Sequence, residues 1–481
     1  MYIKFILWFL LVLISCQVFS QLKRIESLDI PIEDNENPFY FILADEYGLV
    51  LYRERYKEFP DEYNDFEFFF YDKNLKLVWT YLVKTEIMFD VIQHEYANGQ
   101  IFIVFSGLKN FRKKLFIYRF DIKGQTYEMI PIDTFVPDNI SYFSLFNKTM
   151  ILGGRERSKP SIVFYNLDDM KPVILQGFYE KKIEVHDINI DEENGLFTVL
   201  IGYKGKNGQE SLNIRSYDEF GLSVEDIRLE PERGKDLIQA KGIIANNNMR
   251  LVTGLYKDKQ SLYSSGIFQA SVFLNGSKKI VYYTIHELLH MLDSIKSDVT
   301  ESQAEYIQNS LTNTEKYLWH ITDLSEYEHE NVAVVESYTV EKSSTTFMDK
   351  DEIYQFKDAL IIGFSDQLKL NWINHLRMDP VISNRLREYI RVKFYTDSVR
   401  ISFFNRNQLS VKMIQSFETN KPVFHFQIDD FEPDLSPSKY HYSGLSEFLP
   451  WYQDFHLLIG IKSAEREQDQ KIFIVRKFHY P

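Results

Sequence analysis

The chain of 481 residues carries 55 Lys+Arg against 69 Asp+Glu, a formal charge of −14, which excludes nucleic acid as a partner because binding it needs a basic face that releases counterions. Hydrophobic residues make up 44% of the chain, which excludes a disordered polymer and supplies a large core. The 39 Phe, 31 Tyr and 5 Trp favour half-buried strands, so the expected class is all-β.

In chain order, the first element is a targeting segment. It has one positive charge, Lys4, an apolar run from Phe5 to Ile14 and then small residues, the layout of a secretory signal peptide over residues 1–20. The run is shorter than the about 20 residues a membrane helix needs. Two processing sites compete: after Ser20, where Val18-Phe19-Ser20 precedes Gln21, or before Cys16, where Leu13-Ile14-Ser15-Cys16 resembles a bacterial lipobox. In the second case Cys16 becomes the acylated first residue, and this lipid anchor is the chain's one expected route to a membrane. Either site places the protein outside the cytoplasm: periplasmic, outer-membrane-associated or extracellular. Cys16 is the only cysteine, so the body over 21–481, read as one domain, is held by its core and not by disulfides.

Within that body one unit recurs: an aromatic or β-branched strand, a short polar turn and a second strand. It appears at 66–83, 114–132, 161–178, 211–230, 266–285, 359–376 and 410–428. The turns fall near Asp72, Asp121, Asn166, Asp218, Asn275, Asp366 and Asn420, at intervals of 45 to 57 residues except for one of 91. That long interval holds a helical pattern, so a helical insertion is expected at about 285–313. Two further strand candidates lie between successive hairpins, as in 90–107, giving about four strands per repeat.

Four antiparallel strands repeated at about 50 residues resemble the blades of a β-propeller. The C-terminal KIFIVRKFHY (471–480) lacks a following partner and LKRIESLDIPI (22–32) lacks a preceding blade, so their pairing would close a ring of seven or eight blades. Leu152-Gly153-Gly154 ahead of the hairpin 161–178 resembles a kelch blade, in that repeat alone. Ser216-Tyr217-Asp218-Glu219-Phe220-Gly221 resembles the Asp box of sialidase-type propellers, with its glycine one residue late and no tryptophan following. These resemblances imply architecture and no catalytic residue.

One motif carries chemistry. His286-Glu287-Leu288-Leu289-His290 is an H-E-x-x-H and resembles the zincin signature, in which two histidines one helical turn apart ligate zinc and the glutamate activates water. The resemblance implies His286 and His290 as ligands, Glu287 as base and a downstream acid, Glu301 (with Asp298 and Glu305 as rivals), as third ligand. The same residues also read as structure. Thr284 and Glu287 match a capping box, and Ile285, Leu288, Leu289, Leu292 and Ile295 form an apolar stripe for docking the helix. The second reading is preferred: it needs no metal, and the segment before it is a blade strand.

Other candidates read as scaffold. Asp187-Ile188-Asn189-Ile190-Asp191 opens like a calcium loop but lacks glycine at position six, so a strand entering a turn is expected. Lys109, Arg112, Lys113 and Lys114 read as a solvated loop, as does the acidic run Asp429 to Asp434. Most aromatic rings are expected in the core, although some could form a sugar platform. The reading that results is an exported, non-catalytic propeller that binds a protein or glycan of the bacterial cell envelope without a cofactor. A zinc hydrolase at the H-E-x-x-H segment and a glycan-binding or glycan-active propeller are the alternatives.

Overall fold

The computed structural model describes residues 22–480 except 57–62, 133–138, 295–317, 343–351, 415–422, 428–439, 465–470 and shorter turn segments. The signal segment with Cys16, and the acidic run 429–434, lie outside the described residues.

The hairpin repeats become the outer halves of antiparallel sheets, and the chain is an eight-bladed β-propeller. Blade 1 comprises Tyr40–Ala44, Gly48–Glu54, Tyr63–Asp72 and Leu77–Glu86; blade 2 comprises Phe89–Ala97, Gln100–Lys109, Arg112–Asp121 and Thr126–Ile132. Blade 3 comprises Asn139–Phe146, Thr149–Glu156, Lys159–Asn166 and Pro172–Ile174; blade 4 comprises Ile183–Asp191, Leu196–Lys204, Glu210–Asp218 and Ser223–Leu229. Blade 5 is Lys235–Ala245, Met249–Asp258, Gly266–Val272 and Lys278–Thr284; blade 6 is Leu318–Tyr327, Glu330–Lys342, Glu352–Ser365 and Leu370–Ser383. Blade 7 is Arg391–Tyr395, Ser398–Asn405, Gln408–Ile414 and Val423–Gln427. In each, the first strand is innermost and the fourth outermost.

Blade 8 closes the ring as expected. Tyr440–Tyr442 and Glu447–Pro450 pair with Phe455–Ala464, which pairs with Lys471–His479, and the N-terminal strand Lys23–Ile32 lies outermost against Lys471–His479. The separate inner strands of blades 7 and 8 decide the count as eight.

The core lies between blades, one apolar layer to a seam. Phe66 and Phe105 meet between blades 1 and 2 and Phe146 and Phe197 between 3 and 4, while Leu152 and Ile117 share the layer between 2 and 3, and Leu212 and Phe268 that between 4 and 5. Layers around Leu255 and Ile362, Phe356 and Ile401, Leu409 and Leu458, and Leu457 and Leu51 fill the remaining seams. Strands alternating side chains between two faces, each covered by a neighbouring blade, explain why so many aromatics are buried.

Two expectations are corrected. The helical insertion at about 285–313 reduces, among the described residues, to one helix, α1 (Ile285–Ser294), and 295–317 lies outside them. The long interval is also filled by the first three strands of blade 6, two of them extended to 13 and 14 residues. The basic residues 109 and 112–114 are strand residues, Lys109 pairing with Arg112 and Gly107 with Lys114. Charge suggested a loop there, but the apolar residues flanking it carry the pairing up to the turn. The D-x-N-x-D segment is the inner strand of blade 4, and Asp191 closes its turn by accepting from Asn194 N at 3.1 Å.

Candidate functional site

The H-E-x-x-H residues sit on α1, directly after the outer strand of blade 5. Thr284 donates to the Glu287 carboxylate through its backbone N–H (2.7 Å) and its hydroxyl (2.8 Å), and Glu287 N donates back to Thr284 Oγ1 at 3.1 Å. These bonds hold the Glu287 carboxyl below its usual pKa. Ile285 and Leu288 are buried, and Leu288 packs into the layer between blades 5 and 6. His286 and His290 are exposed with ring centroids 6.2 Å apart. The capping box therefore forms, with the glutamate engaged at the helix end, and of the apolar stripe Ile285 and Leu288 dock; Ile295 lies outside the described residues. Glu301 lies outside the described residues, and among the described residues no three His, Cys, Asp or Glu side chains converge on a metal position.

The inner strands carry a feature that sequence reasoning missed. Blades 2 to 6 each have a register shift at the same place, between Val91/Gln93, Ile140/Tyr142, Val185/Asp187, Leu237/Gln239 and Ile321/Asp323. Such a bulge twists the strand and re-aims the next side chain. Tyr142 OH donates to Val185 O of blade 4 (2.9 Å), Asp187 Oδ2 accepts from Gly242 N of blade 5 (3.0 Å), and Gln239 Oε1 accepts from Ile321 N of blade 6 (3.1 Å).

Similar ties lace the other seams. Tyr52 OH and His94 Nδ1 are 3.3 Å apart across blades 1 and 2, and Ser144 donates to Glu95 at 3.4 Å across blades 2 and 3. The fully buried Glu336 accepts from Tyr389 N (3.0 Å) and Ile390 N (2.9 Å) at the entry to blade 7, and Arg391 reaches Glu447 of blade 8 at 3.2 Å. Desolvation raises the Glu95 and Glu336 carboxyls to about 7 and lowers the His94 imidazole to about 4.

At the seam of blades 8 and 1 the tie moves outward to the third strand. Lys477 Nζ donates to Lys73 O and Tyr452 OH, both at 2.7 Å, and lies 4.0 Å from the centre of the Phe455 ring. The residue is 3% exposed, and desolvation lowers its pKa. Inside this tie the seam opens into a cleft of about 590 Å³. One wall is the turn between the first two strands of blade 1, a 3₁₀ turn over Asp45–Tyr47, with Glu46 exposed and Tyr47 half-buried. Gly48 lets that turn pack down: at φ +152 a Cβ there would lie 2.0 Å from Tyr71 O. The outer turn of blade 1 adds Asp72, Lys73 and Asn74, and the corresponding inner turn of blade 8 adds Tyr452 and Gln453.

The cleft joins rings, amides and both signs of charge at a site whose residues lie some 400 positions apart in the chain. None belongs to a motif; the predicted pairing of the termini was the only signal that brings them together. No protein-family profile and no curated protein sequence matches the chain. Among solved structures it is similar to a polysaccharide lyase, Uly1, at 8% identity and TM-score 0.43 over 95% of this chain and 100% of that one. It is also similar to the β-propeller domain of the Trilobed protease from Pyrococcus furiosus (8%, 0.38, 80% and 93%) and to the Vanderwaltozyma polyspora Nup133 β-propeller domain (9%, 0.39, 80% and 99%).

Proposed function

We propose that this chain is an exported, non-catalytic β-propeller that binds a protein or glycan of the bacterial cell envelope at the cleft between blades 8 and 1. The observation that carries the reading is the cleft: a concave, mixed polar and aromatic site on a ring whose other seams are tied at their first or second strands. Its volume lies in the range that encloses small ligands or a segment of a larger one. The apolar N-terminal segment supports export, with either Gln21 or an acylated Cys16 as the first mature residue. The zinc hydrolase alternative draws on the exposed His286 and His290 pair, but its base is already bonded to Thr284.

The test is capture from envelope extract at physiological salt by immobilised residues 21–481, beside a Tyr452→Ala variant. Expected is a retained partner that the variant loses. Equal retention by both, or none by either, overturns the reading. The same purified chain, dialysed against a mild chelator, is expected to carry no zinc; about one zinc per chain, lost in His286→Ala, would restore the hydrolase.

A further inference from the structure

Resting on the binding reading, we infer that the cleft between blades 8 and 1 takes a neutral oligosaccharide. Three observations select this class.

Charge comes first. Glu46 and Asp72 are matched in number by Lys73 and Lys477, so the lining has no net sign to recruit an anionic or cationic ligand, in spite of the acidic chain. Lys477 is also withdrawn from ligand pairing, because its ammonium is spent on Lys73 O, Tyr452 OH and the Phe455 ring.

Backbone pairing comes second. An extended peptide is usually held by main-chain hydrogen bonds to an open strand edge. Here the turns bond to themselves: Asp72 N donates to Lys76 O and Leu75 N to Asp72 O, while Trp451 N donates to Phe455 O and Phe455 N to Tyr452 O, all at 2.9 to 3.0 Å. The cleft therefore offers side chains and not a strand edge.

Side-chain chemistry comes third. Asn74 and Gln453 each present an exposed amide, able to donate and accept at once, and Glu46 presents an exposed carboxylate. These groups match adjacent hydroxyls of a sugar, which likewise donate and accept. The tyrosine rings brace the walls: Tyr47 lies 6.3 Å from Tyr96 and under Lys123 Nζ, and Tyr452 packs on Trp451 and Phe455, which leaves the amides and the carboxylate as the groups that meet the ligand. The volume settles scale: about 590 Å³ suits a short saccharide, whereas a stable protein interface covers about 800 Å² per partner on a broad surface.

The test is titration calorimetry of residues 21–481 with neutral oligosaccharides released from envelope polysaccharide and with uronate-bearing and sulfated ones, repeated on Gln453→Ala, Asn74→Ala and Asn74→Gln. Melting curves confirm that each variant folds. Expected is binding of a neutral oligosaccharide that weakens at least tenfold in Gln453→Ala and Asn74→Ala, survives in Asn74→Gln, and changes little with salt. Binding restricted to the acidic sugars overturns neutrality. No sugar binding, with an envelope protein still captured and lost in Tyr452→Ala, overturns this inference and leaves the binding reading standing; no sugar binding and no capture overturns both.

Discussion

Glu336 shows how a single buried carboxylate can serve as a joint and still cost stability. It lies on the second strand of blade 6, fully buried, and accepts two backbone N–H bonds from the segment that starts blade 7. Desolvation outweighs those bonds and the nearby Arg391, and Glu388 adds to it, so the pKa is raised to about 7 from the ordinary 4.5. Between those two values the folded protein keeps a proton that the unfolded chain has released. Stability from this group is therefore greatest below about pH 4.5 and falls as pH rises toward 7, by about 3 kcal/mol in all. Glu336→Gln keeps an acceptor for Ile390 N without the ionisation. The variant's melting temperature minus that of wild type is expected to be higher at pH 7.5 than at pH 5; parallel profiles would mean that the group is not desolvated as described. His320 and His456, lowered by burial to about 4 and about 3, act with the opposite sign and lose stability as pH falls from 6.5.

The turn between the outer two strands is the element repeated most faithfully. In Asp72–Lys76, Asp218–Leu222, Phe273–Ser277 and Ser365–Lys369 the first residue's N–H donates to the fifth residue's carbonyl, and its carbonyl accepts from the fourth residue. The fourth residue takes positive φ: Leu75 +56°, Gly221 +75°, Gly276 +78° and Leu368 +67°. This is a type I turn followed by a bulge, for which glycine is the cheap choice. Leucine there costs about 1 kcal/mol in backbone strain. Leu368 is 1% exposed and packs with Leu251 of blade 5, and burying its side chain contributes about 2–3 kcal/mol. Burial wins, so the turn doubles as a plug between blades. Leu368→Gly is expected to lower the denaturation free energy by about 1–3 kcal/mol, once the cavity is added to the relieved strain. A denaturant midpoint unchanged or raised would show that strain, and not packing, sets the balance.

At the scale of the molecule, the outer hairpins were legible because both of their strands keep a regular alternation up to a polar turn. The inner strands were less so. Their bulge breaks the period of two, and residues such as Asp187 and Gln239 look like loop residues until the next blade supplies their partners. The capping box of α1 was legible because it is local, spanning Thr284 to Glu287. The cleft was not, since Asp72 and Lys477 meet only after the ring has closed. That closure rests on the strand Lys23–Ile32. It pairs along Lys471–His479, Ile32 is buried in the seam with half-buried Leu28 and Ile30, and Arg476 bonds to Asp29. Removing residues 21–33 takes away those buried apolar groups and bares an unpaired strand edge, a loss of about 5 kcal/mol at roughly 2 kcal/mol per side chain. Among the described residues the ring has no other strand to offer, so a shortened chain is expected to melt at least 5 °C lower and to lose cleft ligands together with the seam. A synthetic peptide of residues 21–33, added to the shortened chain, is expected to restore both melting temperature and binding by occupying the vacant edge. Unchanged melting after the deletion would mean that seven complete blades and the four other strands of blade 8 hold the ring without the N-terminal strand; restored melting without restored binding would place the ligand site away from this seam.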